Sequence, residues 1–228
     1  MGMKGKVALG AVVGIVVIGA VSVAAGGDGD GGGSEGKGSS ASQRQSGGAE
    51  DTAKETGKKA EKKAAFAGDG DHQVGSDIKP GTYRTTGNTD DMCYWERAKD
   101  ASGDADSLLA NDNVTGSSYV TVKATDKLFK SSGCKDWEAV DPKAAGTPAT
   151  HMSGKGGMFK VGVDVAPGTY KSTGNTDDMC YWERAKDAEH SLESIAANNN
   201  VTGTAVVTIG AKDAYFKTTG CQDWKKTG

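Results

Sequence analysis

The sequence predicts an all-β fold: two tandem copies of one small, disulfide-closed β-sandwich or roll domain, each with a short helical turn. The first observation behind this prediction is the stretch TGNTDDMCYWERAKDA, which occurs identically at residues 86–101 and 173–188. The second is that all four cysteines lie in the repeated region, two in each copy. The third is that short runs of alternating or β-branched residues, separated by Gly, Pro, Asn and Asp, fill each copy.

The two copies align without a gap. Cys180 follows Cys93 and Cys221 follows Cys134 by the same 87 residues, since 180 − 93 and 221 − 134 are equal. Most aligned positions are identical, and the mismatches concentrate at 102–109 and the matching stretch of the second copy. An internal repeat of this length indicates that a whole folding unit was duplicated.

The domain boundaries follow from the repeat and from composition. We place the two domains at 69–138 and 157–226. The segment between them, 139–156, is rich in Ala, Gly and Pro, which is typical of a linker.

Residues 1–25 predict a membrane anchor. A short basic start precedes an uncharged apolar run from Val7 to Ala25, which as a helix is about 28 Å long, close to the hydrocarbon thickness of a bilayer. Lys4 and Lys6 place the N-terminus in the cytoplasm. The alternative is a cleavable signal peptide, because small residues end the run. We expect a single-pass cell-membrane protein with an extracellular C-terminal region, or a secreted protein if the segment is cleaved.

Residues 26–68 have the composition of a disordered linker. They are rich in Gly, Ser and Lys and contain few apolar residues, so little can offset the entropy of ordering them. Their acidic stretch DGDGGGSE lacks the spacing of an EF-hand calcium loop. We therefore expect a spacer that holds the first domain away from the membrane.

Each copy predicts five strands and one helical turn. In the first copy the strand segments are HQVGSD, PGTYRTT, CYWERAKD, SSYVTVKA and LFKSSGC. In the second copy, Leu192 and Ile195 have helical spacing and precede an Asn-rich stop, so one or two helical turns fit between the third and fourth strands. We interpret Asn88–Asp91 as a polar turn whose side chains bond nearby backbone.

The strand CYWER predicts which side chains face the core. Alternate residues of a strand share a face, so Cys93 and Trp95 lie on one side and Tyr94 and Glu96 on the other. A Cys beside a Trp indicates the buried side. The tyrosine and glutamate are therefore expected on the other side of the strand. There the tyrosines are either exposed to a ligand or partly buried on the second face of the domain.

Four cysteines permit three pairings. The duplication favours Cys93 with Cys134 and Cys180 with Cys221, because a unit that was copied whole must have folded with its own pair. Oxidation is expected in an exported protein. Closing a loop of about 42 residues contributes about 4 kcal/mol on the chain-entropy model. A zinc site is disfavoured because no histidine is repeated, and we expect no metal.

Catalysis has little support in the residues. The histidines are His72, His151 and His190, and none of them has a histidine 87 residues away. With the cysteines in disulfides, nucleophile schemes that need a repeated His are excluded. The repeated carboxylates resemble a glycosidase pair only in residue type, and turn or surface roles are favoured. We expect no catalytic residues and no cofactor, and the net charge of −3 gives no reason to expect nucleic acid.

The ordered set PGTY, CYWER, NDNVTG, a Val-rich strand and a closing Gly-Cys-x-Asp-Trp resembles a recurrent domain of exported proteins and lipoproteins of actinobacteria, especially streptomycetes. The function of that domain is not established. The resemblance covers both repeats and implies a Gram-positive surface location and a small β fold. It implies no catalytic residues. This chain has no lipid-attachment Cys after its apolar run, which favours a transmembrane anchor over a lipoprotein.

We expect a non-enzymatic, exported cell-envelope binding or interaction protein that displays one domain twice. Candidate ligand-binding residues are those on the outer side of the repeated strand, namely Tyr94, Glu96, Tyr181 and Glu183. The expected partners are the membrane, through the N-terminal helix, and a cell-wall polymer or another envelope protein. The alternatives are a structural surface protein without a specific ligand and a hydrolase of envelope polymer.

Overall fold

The computed structural model describes residues 64–227. The predicted anchor at 1–25 and nearly all of the predicted linker at 26–68 lie outside the described residues. Within the described part, no helix is both long and apolar enough to span a membrane.

The first repeat is a five-stranded sheet. The strand bounds are β1 Gly70–Gln73, β2 Gly81–Ala98, β3 Leu108–Val122, β4 Leu128–Ser132 and β5 Glu138–Ala139. These strands lie in the spatial order β1-β4-β2-β3, with β5 also pairing with β2, and every pairing between them is antiparallel. A single turn of 3-10 helix, Ala105–Ser107, precedes β3.

The second repeat is a six-stranded sheet of the same plan. Its order is β6-β11-β8-β10-β7, with β9 pairing with β8. A 3-10 turn, Leu192–Ser194, precedes β9. The strand bounds are β6 His151–Met152, β7 Gly156–Lys160, β8 Gly168–Ala185, β9 Ile195–Ile209, β10 Tyr215–Thr219 and β11 Trp224–Lys226.

Each sheet curls around its own apolar core. The long strand at its centre alternates inward and outward side chains, and breaks in register let it bend. In the first repeat Cys93, Trp95 and Phe129 are fully buried, as the alternation of CYWER predicts. Cys180 and Phe216 are the matching buried residues of the second repeat. The all-β prediction is confirmed.

One disulfide closes each repeat. Cys93 is bonded to Cys134, and Cys180 is bonded to Cys221. The pairing favoured by the duplication is therefore found. The first disulfide joins β2 to the segment after β4, and the second joins β8 to the segment after β10.

The predicted polar turn at Asn88–Asp91 is wrong. PGTYRTT and CYWERAKD belong to one 18-residue strand, β2, which does not reverse direction at Asn88. Asn88 is buried and bridges two distant backbone groups: its Nδ2 donates to the Gly116 carbonyl (3.1 Å), and its Oδ1 accepts from the Lys135 N–H (2.8 Å). These contacts satisfy the backbone where the ladder is irregular, so the strand continues.

The ends of the predicted linkers join the sheets. Phe66 lies in the range given to the first linker, yet it forms a β-bridge with Trp137 and packs on the first core. His151–Met152, within the predicted linker 139–156, forms β6 and pairs with β11. The predicted helical excursion is only one 3-10 turn in each repeat, and Ile195 already begins a strand.

The two repeats pack against each other within one compact unit. A third apolar cluster lies between them and combines Tyr119 of β3 with Met158, Ala185, Ala188 and Tyr215 of the second repeat. The two repeats meet through different faces, because the residues in contact are not equivalent in the 87-residue alignment. Tyr119 corresponds to Val206 of the second repeat, and Met158 corresponds to Asp71 of the first. The interface is therefore head-to-tail.

Candidate functional site

The four residues predicted to bind ligand form two contacting pairs. The Tyr94 hydroxyl donates to Glu96 Oε2 at 2.6 Å, and the Tyr181 hydroxyl donates to Glu183 Oε2 at 2.6 Å. Burial, followed by the neighbouring carboxylate, raises the pKa of Tyr94 to about 12. The same causes raise the pKa of Tyr181 above its ordinary value. Both phenols are therefore neutral donors at physiological pH.

The two pairs differ in their surroundings. Glu96 lies near Lys130, whose Nζ is 3.9 Å from its Oε1 and whose side chain is substantially exposed. Glu183 is buried, because the first repeat covers this part of the second. Sequence identity thus places the same pair on an open surface in one repeat and beside the interface in the other.

Glu183 lines a cleft between the repeats with a volume of about 380 Å³. We call it the inter-repeat cleft. The first repeat contributes Leu109 and Asn111. The second repeat contributes the remaining lining residues, namely Met158, Glu183, Ala185, Asp187, His190, Ser191, Leu192, Glu193, Ser194, Ile195 and Lys217.

The β8–β9 loop builds most of the cleft and is held by its own side chains. The Ser191 side chain accepts from the Ser194 N–H, and the Ser194 hydroxyl reaches back to the Ser191 N–H, which together form a capping box. The Ser194 hydroxyl also donates to Asp187 Oδ1 at 2.5 Å. These bonds fix the 3-10 turn and hence the direction in which Leu192 projects.

His190 fastens this loop to the first repeat. Its φ of 56° lies in the left-handed region, where its counterpart Gly103 also lies with φ 75°. The imidazole packs edge-on against Trp95 at 4.7 Å between ring centroids. Its Nε2 is 2.7 Å from the Tyr119 carbonyl, so Nε2 carries the proton and donates. Burial, aided by the charge of Lys217, lowers the pKa of His190, so the ring is neutral.

Charged groups make contacts across the interface, and one of these contacts involves a residue that lines the cleft. Lys217 Nζ lies 2.8 Å from Asp112 Oδ2 of the first repeat. Asp164 accepts a 2.6 Å hydrogen bond from the Tyr119 hydroxyl and lies 3.3 Å from Arg84. These contacts join the two repeats, and the first of them holds the Lys217 side chain that lines the cleft.

The cleft has an acidic lining and an apolar rim. Glu183, Asp187 and Glu193 line it against a single cation, Lys217, which Asp112 already pairs. Leu192 is 85% exposed and Leu109 is 45% exposed. The arrangement favours a ligand that carries an amino group or other hydrogen-bond donors beside an apolar portion.

Sequence reasoning missed His190, Lys217 and the loop residues as functional candidates. For the loop, the one signal was that mismatches between the copies concentrate there, where Ser102–Ala105 correspond to Glu189–Leu192. Lys217 corresponds to the identical Lys130, so the alignment gave no signal for it. Among residues 64–227, no group of three or more His, Cys, Asp or Glu side chains is arranged to hold a metal ion.

Comparison with known proteins places both repeats in the same family model. The model of the Rv1352-like extracellular domain matches residues 64–138 and again residues 150–225. The two matches begin and end close to the edges of the two sheets. No solved structure matches the chain.

Mycobacterial relatives show the same likeness. The uncharacterized protein Rv1352 of Mycobacterium tuberculosis is 32% identical over 82 residues, which cover 31% of this chain and 67% of the relative. The uncharacterized protein Mb1387 of Mycobacterium bovis matches with the same identity and the same coverage. Both names leave the function open, and the predicted resemblance to an exported actinobacterial domain is confirmed.

Proposed function

The chain belongs to the family of Rv1352-like extracellular domains and carries that domain twice, and from this premise we propose that it is a non-enzymatic binding protein of the cell envelope. Its binding site is the inter-repeat cleft. The observation that carries the proposal is that the cleft is built by the loop in which the two copies differ. His190, Ser191 and Leu192 line the cleft, and Glu189 and His190 bond to the first repeat, whereas the counterparts Ser102–Ala105 are exposed.

The chemistry of the lining supports one class of ligand. An excess of carboxylates attracts an amine, and the exposed rim at Leu192 and Leu109 accepts an apolar group. Cell-wall polymer meets this requirement where its peptide stems carry amino groups beside short aliphatic side chains. The cleft volume of about 380 Å³ suits a fragment of such a stem.

A binding role is favoured over hydrolysis by the way the acidic groups are already engaged. Glu183 accepts from Tyr181, and Asp187 accepts from the Ser194 hydroxyl and from the Glu189 N–H. His190 uses Nε2 for the Tyr119 carbonyl. A carboxylate pair for glycoside cleavage must flank an open space with one member free to give a proton.

The N-terminal sequence and the extracellular family support the proposed location. We place the two-repeat body outside the cell, attached to the membrane by the apolar run that ends at Ala25 and separated from it by the Gly-rich segment that follows. Cleavage of the same run yields a secreted form. Nucleic acid is not among the proposed partners, since the net charge is −3.

Soluble peptidoglycan fragments test the proposal. Titrated into the full chain, they should shift the NMR signals of His190 and Leu192, and Glu183→Gln should weaken binding about tenfold by removing a charged acceptor. Glu96→Gln, the matched change on the first repeat, should leave the affinity unchanged. Equal loss in both variants, or no binding to these fragments or to anionic wall polymer, would favour a structural protein without a specific ligand.

A further inference from the structure

The first repeat holds a loop of the second in a built acceptor surface. The Thr121 N–H donates to the Ala188 carbonyl at 2.7 Å, and Arg97 Nη1 donates to the Glu189 carbonyl at 2.7 Å. The next residue of that loop, His190, packs its ring on Trp95. The edge strand and the arginine therefore each bind one backbone carbonyl of the loop, and the tryptophan contacts the ring.

The same acceptor exists in the second repeat. Trp182, Arg184 and Thr208 occupy the positions 87 residues after Trp95, Arg97 and Thr121. Arg184 is oriented by Asp213 with contacts of 2.6 and 3.0 Å, which reproduce the 2.6 and 3.1 Å contacts between Arg97 and Asp126. Thr208 faces Thr169 across the ladder just as Thr121 faces Thr82, so its N–H points to the outer edge in the same way.

In the second repeat this surface is open. The Arg184 side chain is 31% exposed, against 5% for Arg97. Val206, which replaces the buried Tyr119, is 57% exposed. Trp182 is only partly buried, whereas Trp95 is fully buried, and no strand in residues 64–227 pairs with the outer edge of β9.

We propose that this open face, defined by Trp182, Arg184, Val206 and Thr208, is a docking surface for a loop of a second, different protein. The loop would present two successive carbonyls to Thr208 and Arg184 and an imidazole or aromatic ring to Trp182. We infer this kind of loop because the equivalent surface of the first repeat binds a loop with the same features. An exposed edge strand with an apolar residue is also the kind of surface that accepts an added peptide segment.

A second copy of this chain fits the open face poorly. The loop it would offer is Ala101–Gly103, which has no ring for Trp182. Gly156 allows the close approach at the internal interface, where an added Cβ would lie 2.7 Å from Thr115 Cβ. The first repeat has Asp69 at that position, so its side chain would obstruct the same contact. These differences between the two repeats therefore favour a different protein over a second copy as the partner. Its docking surface is separate from the inter-repeat cleft.

A peptide of residues 186–195, KDAEHSLESI, tests the inference because it carries the loop that the twin surface binds. Added to the full chain in detergent micelles, it should shift the NMR signals of the Trp182 indole and the Thr208 amide. The His190→Ala peptide should bind at least about tenfold more weakly, since it lacks the ring. Residues 99–108, KDASGDADSL, form the matched control peptide and should cause no shift.

Val206→Asp in the protein should abolish the shifts without unfolding, because that side chain is exposed. The inference is overturned if the 186–195 peptide causes no shift at millimolar concentration, if both peptides act equally, or if the shifts appear at Trp95 instead of Trp182. It is also overturned if the chain alone self-associates in sedimentation experiments and Val206→Asp prevents this, because the occupant is then a second copy.

Discussion

Lys217 of the second repeat and Asp112 of the first form an ion pair of 2.8 Å across the interface, with only 18% and 15% of the two side chains exposed. The corresponding positions of the opposite repeats are Lys130 and Asn199, so the pair exists once. A partly buried charge that loses its partner keeps its desolvation cost. The pair therefore makes the mutual position of the repeats sensitive to a single side chain.

Asp112→Ala should lower the free energy of unfolding by about 1–3 kcal/mol, because it leaves Lys217 without its counter-charge. Denaturant unfolding followed by fluorescence gives the value. Asn199→Ala is the matched change in the second repeat and should cost less than about 0.5 kcal/mol. Similar losses in the two variants would contradict a special role for the cross-interface pair.

Gly156→Ala should destabilise the packing of the repeats by about 1–3 kcal/mol, because the new methyl group would lie 2.7 Å from Thr115 Cβ and force the backbones apart. Thermal unfolding measures this loss. Gly210→Ala is the control, since its nearest contact would be an ordinary 3.5 Å to Asp213. An unchanged melting temperature for Gly156→Ala would mean that Gly156 and Thr115 lie farther apart in solution than in this structure.

The stability should depend on pH through His190. Burial lowers its pKa in the folded state, so the unfolded chain binds the proton more readily. The free energy of unfolding is therefore highest, as far as His190 is concerned, above about pH 6.5, the ordinary pKa of histidine. It falls as the pH drops below that value. Lys217 repels the added charge, while Asp112 and Glu183 partly offset it.

The measurement is the melting temperature of wild type and His190→Asn from pH 8 to pH 5. Asn tolerates the left-handed φ of 56° and does not titrate. The difference between the two proteins should shrink as the pH falls. A constant difference would exclude His190 as the titrating group.

Asn88→Ala should cost about 2–4 kcal/mol, because it leaves the Gly116 carbonyl and the Lys135 N–H without their shared partner. Asn175→Ala should cost a similar amount, since Asn175 bonds the Gly203 carbonyl and the Gln222 N–H at 3.0 and 2.8 Å. The neighbouring Thr89 is exposed, and Thr89→Ala is the control. Unfolding in urea distinguishes the three variants.

Each repeat should fold when expressed alone in an oxidising compartment, because each has its own core and disulfide. Dispersed amide signals from residues 64–138 and 150–227 are the expected result. Mixing the two should then shift the Trp95 indole, because His190 returns to it. Failure of either fragment to give dispersed signals would show that the interface is required for folding.

The sequence predicted the inside of each repeat better than the contact between repeats. Alternation in CYWER identified Cys93 and Trp95 as buried because their environment is set by the strand itself. The continuity of β2 was missed because Asn88 is satisfied by residues 28 and 47 positions away. Such long-range hydrogen bonds leave no local pattern.

The inter-repeat cleft was missed for a related reason. Tyr181 and Glu183 were identified from their face of the strand, but because they are identical to Tyr94 and Glu96 the sequence showed no sign that the two pairs differ in their surroundings. Only the packing of β7 and the β8–β9 loop on β3 makes them unequal. The substitutions that specify this packing, such as Gly156 for Asp69, are visible in the alignment of the copies but have meaning only with the interface known.

The head-to-tail contact also gives twin positions different mutational tolerance. Tyr119 is buried between the repeats and donates to Asp164, whereas its twin Val206 is exposed. Selection on the duplicated gene therefore constrains different positions in the two halves. In the first half it constrains the face that contacts the second repeat, and in the second half it constrains a different face, the one that contacts the first repeat. Gene conversion that made the halves identical would place Val at 119 or Tyr at 206, and in the first case it would remove the contact that joins them.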